Sequence, residues 1–322
     1  TALRGANRRL RFAALAIALS AAACASMPSD YPRPPQSVAL GPDAETILGQ
    51  LATDFNRRHG PKVSGYAAVD LNSDGLRWRL ALVDTSERSL DMLYYLWYDD
   101  FGGLALLEHV IQAAERGVRV RIVVDDTLFM DGKQGLANLS AHPNIEIRVF
   151  NPWASTGIAR GFEAAAYLNR LNHRMHNKLL IADGHMAILG VRNVGDHYFG
   201  LHHKYIFHDL DIIALGEEAS ESSEIFDHFW NSDQVMPADA FVKDSSWAAI
   251  EASRDEKFDS FDNAKELTQV PLERRDWSKD LEDLVKRMHP GTSTLEYDRL
   301  QPGTARPTQD GVVGLTEIVE QA

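Results

Sequence analysis

His176 and Lys178 stand two residues apart in the run Arg174-Met175-His176-Asn177-Lys178, an imidazole close to an ammonium. Residues 179–182 and 186–189 are apolar and are separated by Asp183-Gly184, a pair that favours a tight hairpin turn. The pattern predicts two buried strands, and alternation along a strand puts His176 and Lys178 on one side. That combination suits a phosphate. A neutral imidazole can attack phosphorus and be regenerated near neutral pH, while lysine donates to the non-bridging oxygens and offsets the charge that builds on them. Asn193, beyond the second run, can add an uncharged donor. The plainer alternative is a solvated strand end that carries both side chains.

An attacking imidazole needs an acceptor on its other ring nitrogen to hold its tautomer. Asp183 is an obvious carboxylate, but at the hairpin turn it has the wrong strand parity to reach back to His176, which gives it a structural role. Asp209 and Asp211 share one face of a predicted strand, and either reaches His176 if that strand runs alongside. Asp125-Asp126 follows another apolar run. It could be a metal site or a coupled acid/base pair, or, more plainly, a cap of the turn after the strand. Histidines cluster from His173 to His208 and include His185, His197, His202 and His203, which raises zinc; no cysteine accompanies them and their spacings match no standard ligand set. Tyr94, Tyr95, Trp97 and Tyr98 fit core and sheet-edge aromatics better than a lipid-binding belt.

These residues need a scaffold. The spacing of Ile47, Leu48, Leu51 and Phe55 predicts a helix over 44–58, and Leu76, Leu80 and Val83 predict a second over 76–86. Strands are predicted at 90–98, 118–124 and 145–150, then the motif pair, then 209–215 closing the sheet; helices are predicted at 101–117, 136–140 and 217–230. Strands alternating with helices make an α/β domain over 44–232, a mixed β-sheet flanked by helices on both faces. From residue 231 the periodicity fades, and 233–309 is expected to be a linker or extension with Trp247 and Trp277 as isolated anchors.

His176-x-Lys178-x(4)-Asp183-x(6)-Gly190-x-x-Asn193 resembles the signature of the phospholipase D superfamily, and 174–199 resembles the first motif of bacterial cardiolipin synthases. One departure is Val191, where the family usually has Gly or Ser; a β-branched side chain there is expected to crowd the phosphate pocket. The resemblance implies a phospholipase D-like unit with His176, Lys178 and Asp183 as its catalytic set, Asn193 on the substrate, and no metal or cofactor. It implies a phosphohistidine intermediate, with the histidine of a partner motif protonating the leaving alcohol. Such synthases are two fused copies of one unit. Asp310-Gly311 and the residues after it align with Asp74-Gly75, so 310–322 is expected to begin a second copy. A chain with one unit must pair with itself about a twofold axis or be inactive.

Composition narrows the partners. Lys and Arg number 33 against 46 Asp and Glu, a net charge of -13, which argues against a long nucleic-acid track. Arg4, Arg8, Arg9 and Arg11 precede an apolar, Ala-rich run over 12–23 that is short for a membrane span, so 1–24 is predicted to be an export signal. Cys24, the single cysteine, follows Ser20-Ala21-Ala22-Ala23 in an arrangement that resembles a bacterial lipobox. Lipid attachment there, with 25–43 as a Pro-rich tether, would place the protein in the bacterial cell envelope, with a phospholipid as substrate and the membrane surface as partner. Two further readings stand beside this one: a homodimeric single-motif phosphodiesterase or nuclease, and a catalytically inert lipoprotein half.

Overall fold

The computed structural model describes residues 33–126, 132–153, 174–202, 204–259 and 273–295. The leader, Cys24, His173, His203 and the stretch from 310 lie outside the described residues. Helix α1 (Ile47–His59) starts at Thr46, whose hydroxyl accepts from Gly49 N at 3.0 Å, and it buries Leu48, Ala52 and Phe55. Then come β1 (Ser64–Val69), α2 (Asn72–Thr85), β2 (Ser89–Tyr94) and α3 (Phe101–Glu115), the last capped by the Asp100 carboxylate on Gly103 N at 3.0 Å. The chain continues through β3 (Arg119–Asp125), α4 (Lys133–Leu139), β4 (Ile145–Phe150), β5 (Lys178–Ala182) and β6 (Met186–Gly190). The short helix α5 (Asp196–Phe199), β7 (Asp211–Leu215) and α6 (Glu217–Trp230) complete the expected domain.

Among the described residues the strands form one sheet of nine in the order β8-β4-β3-β2-β5-β6-β7-β1-β9, where β8 is Val235–Pro237 and β9 is His289–Gly291. β2, β3 and β4 run parallel, and every other neighbouring pair is antiparallel. The α/β reading with a mixed sheet therefore holds. One face packs on α1, α2 and α3 through Leu90, Met92, Val120, Ile122, Leu180 and Ile188; the other packs on α6 through Leu93, Val123, Leu179, Ile181, Phe226 and Phe229.

Three expectations change. β7 does not close the sheet; it lies between β6 and β1. β1 carries the small, weakly alternating run Ser-Gly-Tyr-Ala-Ala-Val, and its pairing with β7 and β9 rather than its composition makes it a strand. The domain also does not end at 232. β8 and β9 supply both sheet edges, α8 (Ser278–Arg287) packs Leu281, Leu284 and Val285 into the core, and α7 (Trp247–Asp259) follows β8. The proline-rich tether is docked from Pro35 onward: Arg148 donates to Pro35 O at 3.0 Å, Arg121 to Ser37 O at 3.2 Å and Arg119 to Val38 O at 3.0 Å.

The β5–β6 turn is the expected one. Asp183 and Gly184 take left-handed angles (φ 53° and 68°), and His185 N donates to Ala182 O at 3.1 Å. The Asp183 carboxylate is 2% exposed and accepts from Glu87 N (3.0 Å), Arg88 N (2.8 Å) and Ser89 N (2.9 Å), pinning the start of β2 to the turn. Asp183→Ala should strand these donors and lower unfolding stability by about 2–4 kcal/mol, with Asp183→Asn losing clearly less. Urea denaturation measures both; equal losses would show that the carboxylate is not the anchor.

Candidate active site

Because β5 runs antiparallel to β2, with Tyr94 opposite Lys178, the start of β5 lies at the carboxyl end of the parallel strands. β6 ends and β7 begins at this same end, so the chain on either side of the motif converges there. His176 precedes β5 and is exposed, whereas Lys178, its first residue, is only 4% exposed. Lys178 Nζ lies 2.9 Å from His176 Nδ1 and also donates to the His176 carbonyl. The two side chains do share one side.

Burial pushes the Lys178 ammonium down to about 8, against the opposing pull of the Asp209 carboxylate. Partial desolvation, helped by the Lys178 charge, holds the His176 imidazole below its usual range. The Tyr95 ring completes the pair, 4.9 Å from the His176 ring and 5.3 Å from Lys178 Nζ. Sequence spacing alone does not distinguish Tyr95 from Tyr94, Trp97 and Tyr98; the β2–β5 register does. Tyr94 is fully buried, and Trp97 Nε1 donates to Gly103 O at 3.0 Å.

The other motif residues act at one remove. Asp183 sits at the far end of β5 from His176. Neither Asp209 nor Asp211 hydrogen-bonds His176 in the described structure, because β7 pairs with β6 and β1 and never runs beside β5. Asp211 is fully buried and receives Arg79 Nη1 at 2.9 Å and Arg192 Nη1 at 3.2 Å. Arg192 also donates to the carbonyls of Val69 (2.7 Å), Asp70 (2.8 Å) and Asp209. This fixes the approach to β7, where the Asp209 carboxylate acts on Lys178 rather than on the imidazole.

Asn193 is likewise committed: its Oδ1 accepts from Leu96 N at 3.1 Å, and its Nδ2 donates to Tyr198 Oη at 2.9 Å. It ties the chain after β2 to the chain after β6, and at most its second amide hydrogen remains for a phosphate. Val191 is 52% exposed.

Asp125 and Asp126 are buried and clamp neighbouring chain instead of forming a dyad. Asp125 accepts from Met175 N and Arg174 Nη1, both at 3.2 Å, directly before His176. Asp126 accepts from Trp153 N at 2.6 Å and pairs with Lys133 at 3.0 Å. The spacing His-x-Lys-x(4)-Asp recurs at His202, Lys204 and Asp209, but outside any strand; His202 Nδ1 accepts from Lys204 N at 3.2 Å, and its ring stacks on His197 at 3.9 Å.

If His176 attacks phosphorus it must be neutral, and if Lys178 binds the phosphate it must be charged. Phosphodiester turnover should therefore rise with pH below the ordinary histidine range and fall above about pH 8. In Lys178→Arg the alkaline fall should move upward, because a guanidinium keeps its charge. A pH–rate profile of both proteins checks this, and an unmoved alkaline limb would mean that Lys178 does not set it.

Residues 80–230 match the sequence profile of the cardiolipin synthase, PLD-like domain. Cardiolipin synthase C of Escherichia coli (strain K12) is 37% identical over 177 residues, covering 55% of this chain and 37% of the relative. The major cardiolipin synthase ClsA of Bacillus subtilis (strain 168) is 32% identical over 172 residues, covering 51% and 33% respectively. The chain thus spans well under half the length of these relatives. Among solved structures, NucT from Helicobacter pylori overlays 54% of this chain and 99% of its own, with a TM-score of 0.41 and 13% identity. Residues 80–230, with the His176–Lys178 pair among them, thus carry a phospholipase D-like domain of the bacterial cardiolipin synthase type.

Proposed function

We propose that the protein is a phosphatidyltransferase or phospholipase D-type phosphodiesterase that acts on phospholipids through a phosphohistidine at His176. The observation that carries the reading is the His176 Nδ1 to Lys178 Nζ contact of 2.9 Å at an open sheet end. While Lys178 donates to Nδ1, the single proton of the neutral ring sits on Nε2. A phosphate that draws the ammonium onto its own oxygens releases Nδ1 to carry the proton, and the Nε2 lone pair is then free. Nε2 attacks phosphorus, the bond to the leaving alcohol breaks, and a second alcohol or water later cleaves the N–P bond and restores the ring.

The leaving alkoxide needs a proton, and general acid catalysis of this kind contributes about two to four powers of ten in rate. One imidazole cannot attack and protonate on opposite sides of the same phosphorus. The second histidine therefore comes from a second unit, either a further copy in a longer chain or a twofold-related partner.

With a phospholipid labelled in its phosphate, a denaturing alkaline quench, which preserves an N–P bond, should trap label on His176 and none in His176→Ala, and turnover should elute with dimer or larger species on size exclusion. Turnover in a strictly monomeric peak would refute the two-histidine requirement, and label elsewhere would remove His176 as nucleophile. The membrane address is a separate proposal: Cys24 is the acylated N-terminus of the mature protein, because a multiply acylated cysteine anchors where one chain is marginal. Mass spectrometry of the membrane fraction should find an acylated Cys24 there; a free thiol would sink it.

A further inference from the structure

Seven large apolar side chains stand out on the surface of the described residues, and six of them gather at one place. Tyr205 (69% exposed), Ile206, Phe207 and Leu210 lie on the extended stretch leading into β7; Leu71 and Val191 come from other segments. The contacts that bring them together are specific. Asn72, next to Leu71, donates to Phe207 O at 2.6 Å; Arg192, next to Val191, holds Asp209 O, next to Leu210; and the Phe207 ring lies 5.0 Å from that of Tyr198. The stretch is thus held as a fixed rim, and its far end is Asp209, whose carboxylate acts on Lys178.

We infer that this rim is the surface by which the domain sits on an anionic phospholipid bilayer, an assignment that rests on the phosphodiester reading of His176 and Lys178. Two features select this occupant. A phospholipid phosphate held at Lys178 carries its acyl chains only a few bonds away, so the apolar surface contiguous with that site is where those chains emerge. The charge is complementary as well. Although the whole chain is at -13, Lys204-Tyr205-Ile206-Phe207-His208 is an exposed run with a cation at one end, a histidine at the other and no acid within it. Aromatic and aliphatic side chains flanked by basic ones suit the boundary between headgroups and acyl chains.

The test uses the full chain with Cys24→Ser and a cysteine introduced by Ile206→Cys, labelled with an environment-sensitive fluorophore; a matched protein carries the label through Asp54→Cys on α1. Phosphatidylglycerol vesicles should shift the label at 206 to the blue and leave the label at 54 unchanged, and phosphatidylcholine vesicles should shift the label at 206 less. In the unlabelled Cys24→Ser chain, Tyr205→Ser with Ile206→Ser should weaken vesicle binding at least tenfold, the scale expected for burying such side chains. Hydrolysis of a water-soluble phosphodiester should be unchanged. Vesicle binding with an unshifted label at 206 would overturn the proposal. So would a blue shift that appears with protein concentration in the absence of lipid, which would make the rim a contact between copies. A shift at 206 together with loss of all phosphodiesterase activity would keep the surface and remove the chemistry it is meant to serve.

Discussion

The site depends on one carboxylate between two guanidinium groups. Asp211, at the start of β7, is fully buried, as are Arg79 of α2 and Arg192 after β6, and the three meet with no water-exposed surface of consequence. Removing one partner of such a group leaves an uncompensated buried charge, at a cost of about 3–5 kcal/mol. The arrangement explains Gly190, since a Cβ there would come within 2.0 Å of the Asp211 carboxylate. It also sets the backbone on both sides. Arg192 fixes the carbonyls of Val69, Asp70 and Asp209, while Arg79 donates to Arg192 O at 3.4 Å. Asp209, whose carboxylate acts on Lys178, takes its place from this buried group.

Carboxylates elsewhere in the fold serve the backbone. Asp183 gathers three N–H groups at one end of β5, and Asp125 holds Met175 N and Arg174 at the other. The seven residues from His176 to Ala182 therefore run between two anchored ends, which lets His176 remain exposed without losing its position. That these acids stay clear of the His176–Lys178 pair has an electrostatic consequence. Burial outweighs the Asp209 carboxylate, the one acid acting on Lys178 among the described residues, and pushes the ammonium down to about 8.

Residues beyond 232 stabilise the sheet by covering what would otherwise be open edges. β9 pairs with β1, and α8 brings Trp277 against Asp84, whose other oxygen meets His109 at 2.6 Å. Trp277 Nε1 reaches Asp84 at 2.6 Å, and all three side chains are buried. An unpaired β1 edge would be a template for association with other chains. The acidic and basic alternation of this stretch concealed that role, because α8 presents its charges to water and only Leu281, Leu284 and Val285 to the core.

Local sequence determined the parts that depend on neighbours in the chain. The Asp-Gly turn, the two motif strands, the common side of His176 and Lys178, and helix α6 all follow from turn chemistry and side-chain periodicity, which act over a few residues. Asp183 belongs to the same class, since strand parity alone removes it from the imidazole. Tertiary structure decided what depends on strand order. Asp211 faces two arginines rather than His176 because β7 pairs with β1 and β6, and Tyr95 joins the site because β2 pairs with β5. Asn193 is drawn into a bond with Leu96 N, and β1, β8 and β9 become strands, through partners far away in sequence. Alternation says which face of a strand a side chain takes; only the neighbouring strand says what it meets there.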